Sequence, residues 1–224
     1  MMNPGLQPSR RALLRSLAAA SVAAASLRTL PTAQAQTSDS RAHIVIAGSG
    51  LGGIAVASRM RKLAPRARIT LVDAKQEHNY QPGYTLVASG VWPMAKVKDN
   101  NADFQPSGIT WVQDMVAEFD PAANSLTTTG GRRIRYDFLV VATGLRLGYD
   151  QIDGMDVAAI GQNGLGSAYH SPEAALATWH AMDAFRQRGG RAVMTLPAGA
   201  LKCAGAPLKM TFMVADHLRQ AGTL

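Results

Sequence analysis

The sequence predicts an α/β fold, and three observations carry that expectation. A strand-like apolar run, His43 to Gly48 (HIVIAG), leads into the glycine cluster GSGLGG and then a helical run from Ile54 to Ala64. A second strand pattern, RITLVD, ends at the acid Asp73, 20 residues past Gly53. Short β-like pieces then follow at 109–112, 115–119, 125–129 and 132–136, ahead of an apolar run DFLVVATG at 137–144.

Each element has a physical reason. G-x-G-x-x-G between a strand and a helix is the opening of a Rossmann-like dinucleotide-binding unit. Gly48 allows the tight turn, Gly50 lets the backbone approach a pyrophosphate, and Gly53 lets the helix pack close to the strand. The helix N-terminus offers free N–H groups to the phosphates. Asp73 is placed to accept hydrogen bonds from a ribose. After Asp73 the simple β-α-β series stops, and the four short β pieces read as a β-meander, with Gly130 and Gly131 turning the last hairpin. The run 137–144 reads as a buried strand. A meander inserted before a strand ending in Ala-Thr-Gly resembles the FAD domain of two-dinucleotide flavoproteins. That resemblance implies that Ala142, Thr143 and Gly144 run close to FAD and that the backbone near Val116 meets the adenine.

Past Gly144 the start of a second Rossmann-like unit is expected. Residues 171–188 read as a helix, with Ser171 as N-cap, Pro172 at the first position and an apolar face at 175, 176, 179, 182 and 185. Trp179 and His180 on this helix read as core or surface. RAVMTLP, 191–197, reads as a strand, and a second helix runs from about Ala206 to Ala221, capped by Gly222. The turn between them, LPAGALKCAGAP, places Gly199 and Gly205 at the wrong spacing for a second fingerprint and holds Cys203 instead. That argues against a nicotinamide cofactor and for thiol chemistry. The expected division is a leader at 1–35, an FAD-binding domain at 36–147 and part of a second domain at 148–224.

The leader carries Arg10, Arg11, Arg15 and Arg28, a mild alanine-rich core and an Ala-Gln-Ala site ending at Ala35. It resembles a twin-arginine export signal, which makes the expected location periplasmic. Its removal takes the net charge from +8 to +4, so the basic balance gives little support to a nucleic-acid partner. One cysteine forms no internal disulfide. The five histidines show no metal-ligand spacing, and Ser49 lies outside any nucleophile elbow. Lys96 and Lys98 beside Asp99 read as a solvated loop.

Three stretches, HNYQPGYTLVASG (78–90), YDFLVVATGLRLGYDQIDG (136–154) and LKCAGAPLKM (201–210), together resemble the sulfide:quinone oxidoreductase family. The resemblance implies that Leu51, Gly52, Asp73, Gln81 and Val116 hold a non-covalent FAD. It implies that Cys203 is one of two redox cysteines beside the flavin. Sulfide opens their sulfur bridge, leaving a persulfide and a thiolate, and two electrons pass through the flavin to a quinone. A thiol beside a lysine and a helix start suits such exchange chemistry. Family chains continue past this point with a second cysteine, a further flavin motif and an amphipathic tail that contacts the membrane. This sequence stops at Leu224. The expectation is therefore a truncated chain that does not turn over alone. The alternatives are the flavoprotein subunit of flavocytochrome c sulfide dehydrogenase, whose flavin-linking cysteine has no counterpart at 77–86, and a non-catalytic FAD-binding fragment.

Overall fold

A computed structural model describes residues 37–196 and 203–223, and those from Ser38 onward form one compact unit. The expected leader, together with Gly199 and Lys202 of the cysteine turn, lies outside the described residues. The centre is a four-stranded parallel sheet in the order β5-β2-β1-β9, made of β1 (His43–Ala47), β2 (Arg68–Val72), β5 (Thr110–Val112) and β9 (Phe138–Val141). Helix α1 (Leu51–Leu63) packs on one face. A three-stranded antiparallel meander, β6 (Val116–Asp120), β7 (Ser125–Thr128) and β8 (Arg133–Arg135), covers the other.

The period-2 geometry of strands sorts the core. Ile44, Ile46, Ile69 and Leu71 join Ile54 and Ala57 of α1 in one apolar cluster. Val45 and Val72 face the opposite way, against Leu126, Ile134 and Tyr136 of the meander. Ile46, Ile69 and Leu71 are essentially fully buried, each worth roughly 1.5–3 kcal/mol over an exposed position. At the turn between β7 and β8, Gly131 takes a φ of +81° and its N–H donates to the Thr128 carbonyl, as the glycine pair predicts.

The structure corrects four sequence-based expectations. The piece at 109–112 is not part of the meander: β5 pairs with β2 in parallel and extends the main sheet, because its side chains Trp111 and Val112 complete both apolar clusters. The run 137–144 is not a buried strand. β9 is the sheet edge, with Phe138 62% and Val141 59% exposed, since among the described residues only β1 pairs with it. Residues 191–196 form no strand; they hydrogen-bond to no ladder among the described residues, and a strand without a neighbour has no partner for its backbone. Lys98 is not a solvated loop residue. It opens β4 (Lys98–Asn100), which pairs antiparallel with β3 (Glu77–Asn79).

Lys98 Nζ bonds Glu77 at 2.8 Å and Glu173 at 2.6 Å, tying the β3–β4 hairpin to helix α3 (Pro172–Arg188). Its pKa is raised by these bonds, and both carboxyls are held below their ordinary value, chiefly by Lys98. A carboxyl depressed on folding contributes stability at neutral pH and loses it as pH falls from about 4.5 toward the depressed value. Lys98→Met is therefore expected to flatten the acid limb of a plot of melting temperature against pH. An acid limb identical to that of the unaltered chain would contradict this.

The expected helices are present. In α3 the Ser171 hydroxyl accepts from the Ala174 N–H at 3.1 Å, Pro172 starts the helix, and Ala175 and Met182 are buried. A short helix α2 (Tyr84–Ala88), which the sequence pattern did not reveal, packs against α3 and α4 (Gly205–Gln220) through Tyr84, Val87, Ala175 and Met210. Trp179 is half-buried against the core: its ring packs over Gly90, whose φ is +75°, and meets His217 edge-on at 4.9 Å.

Candidate dinucleotide and thiol site

The glycine turn shows three distinct backbone demands. Gly48 has a φ of +110°, and a Cβ there would fall on the Ala142 carbonyl. A Cβ on Gly53 would fall on the Gly48 carbonyl, so the helix packs onto the turn through missing atoms. A Cβ on Gly50 or Gly52 would meet no protein atom within 4 Å. The space beside Gly50 is thus open to a ligand, while Gly48 and Gly53 are required by the fold itself.

Around that open space the groups suit a dinucleotide. No side chain caps α1, and its first turn carries no acid, so its leading N–H groups remain available to an anion. Leu51 at the start of the helix is 70% exposed. Asp73, at the end of β2, accepts from the Ser49 N–H at 2.7 Å through Oδ2 and from the Lys75 N–H at 2.8 Å through Oδ1. Each carboxylate oxygen keeps a further lone pair for a ribose hydroxyl. The Ala142 N–H donates to the Ala47 carbonyl at 2.8 Å, which brings Ala142, Thr143 and Gly144 alongside the glycine turn. The structure therefore unites Gly48, Gly50, Leu51, Gly52, Gly53, Asp73 and residues 142–144 at the C-terminal ends of β1, β2 and β9. Ligands sit outside such strand ends in open parallel sheets.

The remaining expected residues lie apart from this turn. Val116 begins β6 and packs against the meander-side cluster. Gln81 opens the 3₁₀ turn Gln81–Gly83, which follows β3 and leads directly into α2. Cys203 is exposed and precedes α4, with its carbonyl accepting the Ala206 N–H at 3.0 Å. Two observations place it. Lys209 Nζ, further along α4, donates to the Pro82 carbonyl at 3.4 Å, so the helix led by Cys203 lies against the Gln81 turn. Tyr169 has its hydroxyl pKa raised by burial and, second, by the charge of nearby Cys203. Its ring lies 6.3 Å from that of Tyr84.

Sequence reasoning missed Ser49 and Asn101. Both are buried, and Asn101 Nδ2 donates to Ser49 Oγ at 2.8 Å. Among the described residues no group of three or more His, Cys, Asp or Glu could hold a metal ion, and no helix is long and apolar enough to cross a membrane.

A glycine turn under a parallel sheet, an uncapped helix and an acid at the end of the second strand define a dinucleotide-binding α/β protein. The chain belongs to the pyridine nucleotide-disulphide oxidoreductase family, whose sequence model matches residues 42–187. It is 38% identical over 180 residues to the mitochondrial sulfide:quinone oxidoreductase of Dictyostelium discoideum, covering 80% of this chain and 39% of that protein. It is 33% identical over 193 residues to the mitochondrial sulfide:quinone oxidoreductase of Mus musculus, covering 86% and 42%. The solved structure of the sulfide:quinone oxidoreductase from Aquifex aeolicus superposes with a TM-score of 0.61 at 26% identity, over 81% of this chain and 41% of that one. The chain thus spans about two fifths of the length of the curated relatives it matches. These relatives are FAD-binding flavoproteins. The open space at Gly50, the uncapped helix and Asp73 fit that cofactor.

Proposed function

We propose that this chain is the FAD-holding and thiol-bearing part of a sulfide:quinone oxidoreductase. The observation that carries the reading is the Lys209–Pro82 hydrogen bond, which seats the Cys203 helix against the turn that begins at Gln81. The glycine turn and α1 would hold the FAD pyrophosphate, Asp73 the ribose, and the backbone near Val116 the adenine. Gln81 and residues 142–144 would lie toward the flavin. FAD, when bound, supplies a two-electron relay from a sulfur donor to a quinone.

Cys203 supplies the sulfur. Hydrosulfide attacks a bridge between Cys203 and a second cysteine: the bridging S–S bond breaks, a new S–S bond to the entering sulfur forms, and one thiolate is released. A nucleophilic sulfur acceptor would then take the outer sulfur from the persulfide, and re-formation of the bridge from the two cysteines would give up two electrons and two protons, which the cofactor would relay to the quinone. Cys203 is the only cysteine in the 224 residues, so the second would come from polypeptide outside this sequence. Residues from 148 onward are read as the beginning of a second Rossmann-like domain. The paired arginines at 10 and 11 support twin-arginine export to the periplasm, where the complete enzyme would meet quinone at the membrane.

Electron-donor specificity tests the reading. In the chain complemented with the C-terminal half of a relative, sulfide is expected to bleach the flavin band and NADH is not. Rapid bleaching by NADH would contradict the argument from the absent second glycine fingerprint. Colour that stays with the denatured polypeptide would favour the covalent flavin of a flavocytochrome c subunit instead. Export is tested by Arg10→Lys with Arg11→Lys, expected to leave the precursor in the cytoplasm.

A further inference from the structure

We propose that Asn101 is a positioning residue for the cofactor turn, fixing Ser49 to the β3–β4 hairpin that leads into the Gln81 turn. The inference rests on the FAD reading of the glycine cradle. Asn101 follows β4 and its side chain is almost fully enclosed, the residue being 1% exposed. Its Nδ2 donates to Ser49 Oγ at 2.8 Å and to the Lys75 carbonyl at 2.7 Å. A carbonyl only accepts, so the amide nitrogen must face Lys75, and the orientation of the side chain is fixed. Its Oδ1 is then the acceptor for His78 Nδ1 at 2.9 Å, which places a hydrogen on that ring nitrogen. The Asn101 backbone N–H donates to the Gln76 carbonyl at 2.7 Å.

Ser49 is the only residue of the Gly48–Gly50 turn with a side chain, and it is fully buried. It is held at both ends, its N–H by Asp73 Oδ2 and its hydroxyl by Asn101 at 2.8 Å, with a longer bond donated to the Lys75 carbonyl at 3.4 Å. The flanking glycines bring no side-chain contact and much backbone freedom. The Ser49 side chain therefore ties the turn to Asn101, its shorter bond, and to Lys75. Through β4 and β3 the same amide reaches the Gln81 turn, so one buried side chain sets the spacing between the pyrophosphate and flavin ends of the site. A turn ordered before the ligand arrives loses less conformational freedom on binding, which raises affinity.

The test uses the 224-residue chain, with FAD affinity measured by titration and amide hydrogen exchange at 48–53 measured without FAD. Ser49→Ala and Asn101→Ala are each expected to weaken FAD binding roughly tenfold and to speed exchange in the turn. The double variant is expected to lose less than the sum of the two single losses, because both changes break the Asn101–Ser49 bond. Ser49→Ala deletes one hydroxyl and leaves Asn101 bonded to Lys75 and His78, so it carries the test if Asn101→Ala does not fold. Wild-type affinity with unchanged exchange in Ser49→Ala would overturn the proposal, as would additive losses in the double variant. An unaltered chain that binds no FAD would overturn the FAD reading and this inference with it.

Discussion

Gly50→Val is expected to abolish FAD binding while leaving the fold in place. Gly50 has an extended backbone with φ of −69°, which valine adopts freely, and its Cβ would meet no protein atom within 4 Å. The protein therefore accommodates the side chain, at a cost of about 1 kcal/mol for a poorer helix cap. The valine methyl groups instead occupy the space where a pyrophosphate meets the helix N-terminus. Affinity should fall at least about 100-fold, equivalent to about 2.7 kcal/mol. Gly53→Ala is the contrasting change. Its Cβ would overlap the Gly48 carbonyl, so the loss there is of folding, at roughly 1–3 kcal/mol or more. Far-ultraviolet circular dichroism, melting temperature and bound flavin separate the two. Normal flavin content in Gly50→Val would contradict the cradle.

This contrast marks the part of the site that is legible in the sequence. G-x-G-x-x-G states a requirement for glycine at each of its positions, from the fold at Gly48 and Gly53 and from the ligand at Gly50, so their roles follow from residue type and spacing. The N-cap of α3 is equally readable, because Ser-Pro-Glu is a local chemical signal that needs no distant partner. Pairing is a different matter. DFLVV reads the same whether its strand is central or at an edge, and residues 191–196 have strand-like chemistry but join no ladder among the described residues. TWV is short enough to pass for a meander piece, and only its parallel register with β2 reveals otherwise. Asn101 is the extreme case. Asn100 and Asn101 are identical in chemistry and adjacent in sequence, yet Asn100 is exposed and Asn101 is enclosed. The difference arises from the β4 backbone turning one of them toward Ser49.

The β9 edge bears on the second large effect. Phe138 and Val141 are exposed on that strand, Leu145 follows it uncovered, and Leu208 and Phe212 are exposed on α4 beyond Cys203. Exposed apolar side chains of this kind favour association where a partner can cover them. The C-terminal half of a relative is therefore a reasonable partner with which to complete the chain for activity measurements. In that complemented protein, Cys203→Ser is expected to reduce sulfide-dependent quinone reduction at least about 1000-fold, as loss of a covalent nucleophile does. In the 224-residue chain Cys203 is exposed and has no disulfide partner, so serine there should change the stability of that chain by no more than about 0.5 kcal/mol. Flavin content should stay the same, because the glycine cradle and Asp73 lie on other elements. Once the bridge is reduced, iodoacetamide should inactivate the unaltered protein to the same floor and leave the serine variant's residual rate untouched. The 224-residue chain alone should bind FAD but show no steady turnover, since an isolated Cys203 has no second sulfur to form the bridge that sulfide opens. Sustained turnover by the short chain would show that sulfide is oxidised without a second cysteine, and sustained turnover by Cys203→Ser in the complemented protein would show that it is oxidised without this thiol.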